Sequence, residues 1–73
     1  MLSISIYGVV EGVDEITVNI VNLVGERVFS LVVPSYDGAF SEELHLNKLV
    51  PGFYFVEVSD GQNVWTRKIV KSR

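Results

Sequence analysis

Apolar and polar side chains alternate along nearly the whole chain, and no segment repeats its apolar residues at the 3.6-residue spacing of a helix. In an extended strand alternation puts every second side chain on the same face, so this pattern calls for sheets that each bury one side. With 73 residues there is room for one domain, and a chain of that size buries only about 60% of the surface it exposes when unfolded. The core must therefore be thin. Apolar residues make up 48% of the chain, including four Phe, three Tyr and one Trp, which is the composition of a folded domain and not of a disordered tail. There is no cysteine, which removes disulfide staples, thiol nucleophiles and thiolate metal sites together.

The strands can be placed from this pattern. Leu2, Ile4 and Ile6 share one face of a first strand that ends near Gly8, and an acidic loop through Glu11, Gly12 and Asp14 follows. A second strand over residues 15–22 sets Ile16, Val18 and Ile20 against Thr17, Asn19 and Val21. Asn22, Leu23, Val24, Gly25 and Glu26 read as a turn whose apolar members touch the core, with Gly25 supplying a positive φ. The third strand, residues 27–33, is apolar on both faces, with Val28 and Val32 opposite Phe29, Leu31 and Val33. It is expected to be central or covered by something else.

Pro34, Asp37 and Gly38 mark the next reversal, and a fourth strand over residues 40–46 turns Phe40, Leu44 and Leu46 inward. Pro51 and Gly52 suit the central positions of a type II turn. Residues 53–59 form the strongest β segment, with Tyr54, Val56 and Val58 on the core side and Phe53, Phe55 and Phe29 left over for a second layer or a partner. Asp60-Gly61 then joins it by a hairpin to a last strand over residues 63–70. Six or seven short strands divided by turns predict an all-β fold, a small antiparallel sandwich of immunoglobulin or fibronectin type, with an incomplete barrel as the alternative.

The net charge of −3 opposes a general nucleic-acid binder, and its distribution is uneven. All nine acidic residues lie at or before Asp60, where only Arg27 and Lys48 oppose them; Arg67, Lys68, Lys71 and Arg73 follow with no acid among them. No signal-peptide pattern opens the chain, and no apolar run approaches the roughly 20 residues of a membrane-spanning helix. An exported role would call for an upstream segment, and the chain reads as a piece cut from the end of a longer protein, with Met1 an added start.

Few residues suggest chemistry. Glu43 and His45 share a strand face, but one His and one carboxylate are an incomplete metal-ligand set, and exposed strand positions account for both. Ser41, His45 and Asp37 contain the residue types of a nucleophilic triad without a nucleophile elbow or oxyanion hole. The glycines form neither GxGxxG nor GxxxxGK[ST], so no phosphate cradle is indicated. No catalytic, cofactor or metal site is expected. Phe53, Tyr54, Phe55 and Trp65 could stack on bases or sugars, but strand packing accounts for most of them. The basic end has two readings: cations that keep an edge strand from aggregating, or a terminus read by a receptor through strand addition or carboxylate capture.

Three stretches in order resemble the C-terminal sorting domain of the type IX (Por) secretion system. They are residues 18–28, with Gly25 in the turn; residues 46–58, where Leu49 leads into Gly52-Phe53-Tyr54-Phe55-Val56; and residues 66–71, a basic and apolar terminal strand. The span from Val18 to Lys71 that they mark out is about three quarters of the chain, Asn22 standing where Asp is frequent and the family's usual Pro-Asn-Pro type motif being absent before the first strand. The resemblance implies a signal domain that directs a periplasmic carrier protein through the outer-membrane type IX translocon, for release or surface attachment. Its implied partners are the translocon and a sortase-like peptidase, and its implied localisation is the periplasm in transit, then the cell surface or medium. Lys68, Ile69, Val70 and Lys71 fall on the terminal motif and are assigned to recognition; Gly25, Leu49, Gly52, Tyr54 and Val56 are assigned to turns and core. The rival reading is a fibronectin-like accessory or adhesion sandwich of a secreted enzyme. A homodimer formed by strand pairing is a further possibility for a thin sandwich with open edges.

Overall fold

The computed structural model describes residues 3–10 and 12–72. Leu2, expected beside Ile4 and Ile6, lies outside them, as do Glu11 and Arg73. The alternating segments become six strands: β1 (Ser3–Val9), β2 (Glu15–Asn22), β3 (Arg27–Pro34), β4 (Ala39–His45), β5 (Gly52–Ser59) and β6 (Val64–Lys71). They form two antiparallel sheets, one of β1 and β4 and one in the order β3-β2-β5-β6, so the chain is an all-β sandwich. In the larger sheet β2 and β5 are central, which is why Ile16, Val18, Ile20, Tyr54 and Val56 form the floor of the core. Val33 extends that floor from β3, Leu44 and Leu46 close the core from the β4 side with Phe40, and Ile4, Ile6, Phe29, Leu31 and Val58 pack around them half-buried. Phe29 therefore belongs to the core and is not left over for a second layer.

The third strand departs from expectation. Among the described residues β3 pairs only with β2, as an edge strand, and its outward Val28 and Val32 are exposed. Ile20 pairs with Phe29 and Val21 with Arg27, so Val28 is an extra residue in a bulge that follows the β2–β3 turn. In that turn Asn22 does most of the work. Its Oδ1 accepts from Val24 N–H at 3.1 Å and Glu26 N–H at 2.9 Å, while its Nδ2 donates to Glu26 Oε1 at 3.0 Å. Gly25 takes φ 87° as the left-handed residue of the turn. The three side-chain bonds hold the reversal without help from the core, and Leu23 and Val24 point to solvent at 63% and 80% exposure, contrary to the expected core contact.

The remaining turns separate what two similar dipeptides do. Asp37 and Gly38 both have positive φ, 53° and 77°, between Tyr36 and Ala39, whose backbones exchange hydrogen bonds of 2.8 and 3.0 Å. This is the type I′ geometry that an Asp-Gly pair suits. At Asp60-Gly61 only Gly61 has positive φ, and Asp60 instead acts through its carboxylate, which accepts from the N–H groups of Gln62 at 2.9 Å and Asn63 at 2.7 Å. Those two donors hold the carboxyl pKa below its ordinary value. Pro51-Gly52 is not the expected type II turn. The hydrogen-bonded reversal lies earlier, where Leu49 N–H donates to Leu46 C=O at 3.1 Å, and Gly52 opens β5 with φ 155°, far from the roughly 80° of a type II turn.

Candidate functional site

The residues assigned to recognition lie on β6, and the topology sets how they are displayed. β6 pairs with β5 on one side only, from Ser59 opposite Val64 to Gly52 opposite Lys71, with no register shift. Among the described residues no strand pairs with its other edge. The hairpin closes with Asp60 N–H donating to Asn63 C=O at 3.1 Å. Bonded and non-bonded pairs alternate along an antiparallel ladder. Counting from that closure, Val64, Thr66, Lys68 and Val70 hold the positions whose N–H and C=O point away from β5.

The side chains divide in the same way. Opposite the core-facing Tyr54, Val56 and Val58 stand Ile69, Arg67 and Trp65, while Lys68 and Val70 lie opposite Phe55 and Phe53 on the outer face. Only Ile69 reaches the core, because β1 and β4 do not extend over this edge. Trp65 and Val70 stay 50% and 58% exposed. Lys68 holds its ammonium 4.8 Å from the centre of the Phe53 ring, a cation–π contact on the outer face. Lys71 is half-buried and donates from Nζ to the Leu49 carbonyl oxygen, while the Tyr54 hydroxyl donates to the neighbouring Val50 carbonyl oxygen. The 49–50 connection is thus held from β5 and from β6. Leu49, Tyr54 and Lys71 act together there, Val56 is a core residue, and Gly25 lies at the β2–β3 turn away from β6.

The other candidates are not assembled. Ser41 and His45 lie four residues apart on β4, about 13 Å at the rise of a strand, so the hydroxyl and imidazole cannot share a proton. His45 Nε2 lies 3.6 Å from Glu43 Oε1 with both side chains more than half exposed. No group of three metal-binding residues exists among the described residues. An open groove of about 920 Å³ between the β1–β2 loop and the β5–β6 hairpin is lined by Val10, Val13, Asp14, Asp60 and Trp65 and has no histidine. Among the described residues no ion pair involves Arg67, Lys68 or Lys71. The sequence offered an edge strand as one reading of the basic end, and the pairing order β3-β2-β5-β6 makes β6 that edge.

A family model described as the secretion system C-terminal sorting domain matches residues 1–72. The chain belongs to this family. The sorting domain is thus a type IX C-terminal sorting signal, whose family role is to mark a secreted carrier for export through the outer membrane and not to catalyse a reaction. Being such a signal implies that the sorting domain is carried as the tail of another protein and meets the secretion system. No curated protein and no solved structure matches it significantly.

Proposed function

We propose that this sorting domain, at the end of a carrier that has reached the periplasm, is read by the outer-membrane type IX translocon through Lys68, Ile69, Val70 and Lys71. A sortase-like peptidase then removes it and frees the carrier or attaches it to the cell surface. The observation that carries the reading is the family match over residues 1–72, with the cationic motif sited on an unpaired sheet edge in its support. The core supplies the platform: Ile69 anchors β6 from beneath while Lys68 and Val70 stay accessible. A fibronectin-like accessory domain would need a concentrated binding surface away from β6. The exposed aromatics are instead dispersed, Tyr7 on β1, Tyr36 in the β3–β4 turn, and Phe53 and Trp65 on β5 and β6.

The test is export of a reporter joined ahead of this domain and behind a periplasmic signal peptide, in a host with the type IX system. The reporter is expected at the surface or in the medium, to be lost from there in a translocon mutant and to stay periplasmic when residues 68–73 are deleted. Normal export after the deletion would remove the recognition assignment.

A further inference from the structure

The terminal strand brings together three properties that need not coincide: a free hydrogen-bonding edge, exposed apolar side chains and a cluster of cations with no acid between them. We propose that β6 is read as a strand, by an extended acidic segment of a partner protein that adds to its free edge and continues the sheet as a fifth strand. This deepens the translocon reading and rests on it.

Backbone geometry supplies the first half of the argument. Val64, Thr66, Lys68 and Val70 present N–H and C=O groups to solvent at every second position over the eight-residue length of β6. Main-chain bonds to such a row give affinity, and alternate side chains give selectivity. The side chains supply the second half. A strand added there would run beside Trp65, Arg67, Ile69 and Lys71 on the inner face and beside Val64, Thr66, Lys68 and Val70 on the outer face. On each face apolar and cationic side chains are interleaved. The complementary segment therefore carries apolar residues broken by carboxylates, the carboxylates falling beside Arg67 and Lys68. It would cover Trp65 and Val70, now half exposed or more.

A second copy of this domain is a poorer occupant. Antiparallel self-pairing centred on Arg67 or on Lys68 sets that cation against itself, and like charges directly opposite are destabilising. At the other edge, β3, no charge lies between Val28 and Val33, so that edge has no such selectivity. The cations of β6 thus disfavour the self-pairing registers centred on them and favour an acidic partner.

The experiment uses the same exported carrier with three changes in the domain. Thr66→Pro removes one solvent-facing donor and leaves the bonds to β5 intact. Arg67→Glu with Lys68→Glu reverses the charge, and deletion of residues 68–73 is the reference. Thermal unfolding of each purified carrier verifies that the domain is folded. Export is expected to fall at least about tenfold for Thr66→Pro and for the charge reversal while both remain folded. If the deletion stops export but folded Thr66→Pro and the charge reversal export normally, strand addition is wrong and the sorting reading stands. If the deletion also exports normally, the sorting reading itself is wrong.

Folding of Thr66→Pro is backed by a second measurement. The unaltered carrier is mixed with a synthetic ten-residue peptide of alternating valine and glutamate, or with its lysine counterpart, and amide exchange is followed. Slower exchange at Val64, Thr66, Lys68 and Val70 with the acidic peptide alone is expected. Equal protection by both peptides, protection on β3 instead, self-association of the carrier, or no protection overturns the proposal.

Discussion

Replacing Tyr54 separates two contributions that its position on β5 combines. The ring is 4% exposed in the centre of the core, and the hydroxyl donates to the Val50 carbonyl oxygen at the entry to the strand. Tyr54→Phe keeps the ring and removes the bond. Val50 is 72% exposed, so its carbonyl can be rehydrated, and the loss is that of one ordinary hydrogen bond, about 1 kcal/mol. For a domain of this size that lowers Tm by about 4–8 °C. Tyr54→Ala also empties the ring's place between β2 and β6, and by comparison with other buried aromatics costs about 3–5 kcal/mol. A 73-residue domain has only about 4–11 kcal/mol in total, so Tyr54→Ala leaves little margin. Urea titration followed by fluorescence of Trp65, the sole tryptophan, measures both. A Tyr54→Phe loss within about 0.5 kcal/mol of the Tyr54→Ala loss would refute the division, because the ring would then contribute almost nothing.

Gly25→Ala at φ 87° is expected to cost about 1–2 kcal/mol in urea unfolding, although nothing lies within 4 Å of the added methyl group; an unchanged midpoint would show that the turn can rearrange. Gly8→Ala fails for the opposite reason. Its Cβ would meet the Phe40 ring at 2.9 and 3.0 Å, an overpacking cost of about 1–3 kcal/mol that should shrink when Phe40→Leu is added in a double-mutant cycle. Asp60 has its folded pKa lowered by the N–H donors of Asn63 and Gln62, so its contribution is present above the ordinary aspartate value and lost as pH falls through the lowered one. Asp60→Asn should therefore flatten the acid limb of stability against pH below about 4 in urea midpoints taken at successive pH values.

Alternation located the strands closely because it is a local property: β2 spans the expected residues, and β5 and β6 differ from expectation by a single residue at their ends. It also named Phe40, Leu44, Leu46, Tyr54 and Val56 as inward. What it could not convey is which sheet face gains a cover, since that depends on β1 and β4 meeting across the turns between them. Val28 and Val32 are as apolar as Ile16 and Ile20, yet they stay exposed on the outer face of β3. Leu23 and Val24 misled for a related reason, because the Asn22 side chain satisfies the turn and leaves them no need of the core. Gly8 carried a readable signal, a glycine inside a strand pattern where an aromatic ring approaches the backbone, but the ring's owner, Phe40, is distant in sequence. The recognition residues were legible as a motif and a charge pattern, with an edge strand among their readings, and the pairing order makes β6 that edge.

That pairing order also governs the sequence of events in folding. β5 and β6 are joined by a short hairpin, whereas β1 can pair with β4 only after β2 and β3 have been looped out between them. Non-local strand pairing of that kind forms more slowly than a local hairpin, which takes microseconds. The strand that bears the signal is thus laid down by a local step, as β2 and β3 are, and the two-stranded cover arrives by a non-local one. A domain that breathes by lifting β1 and β4 would bare Leu44 and Leu46 long before it lost the ladder under Lys68. Its message would outlast its tertiary packing.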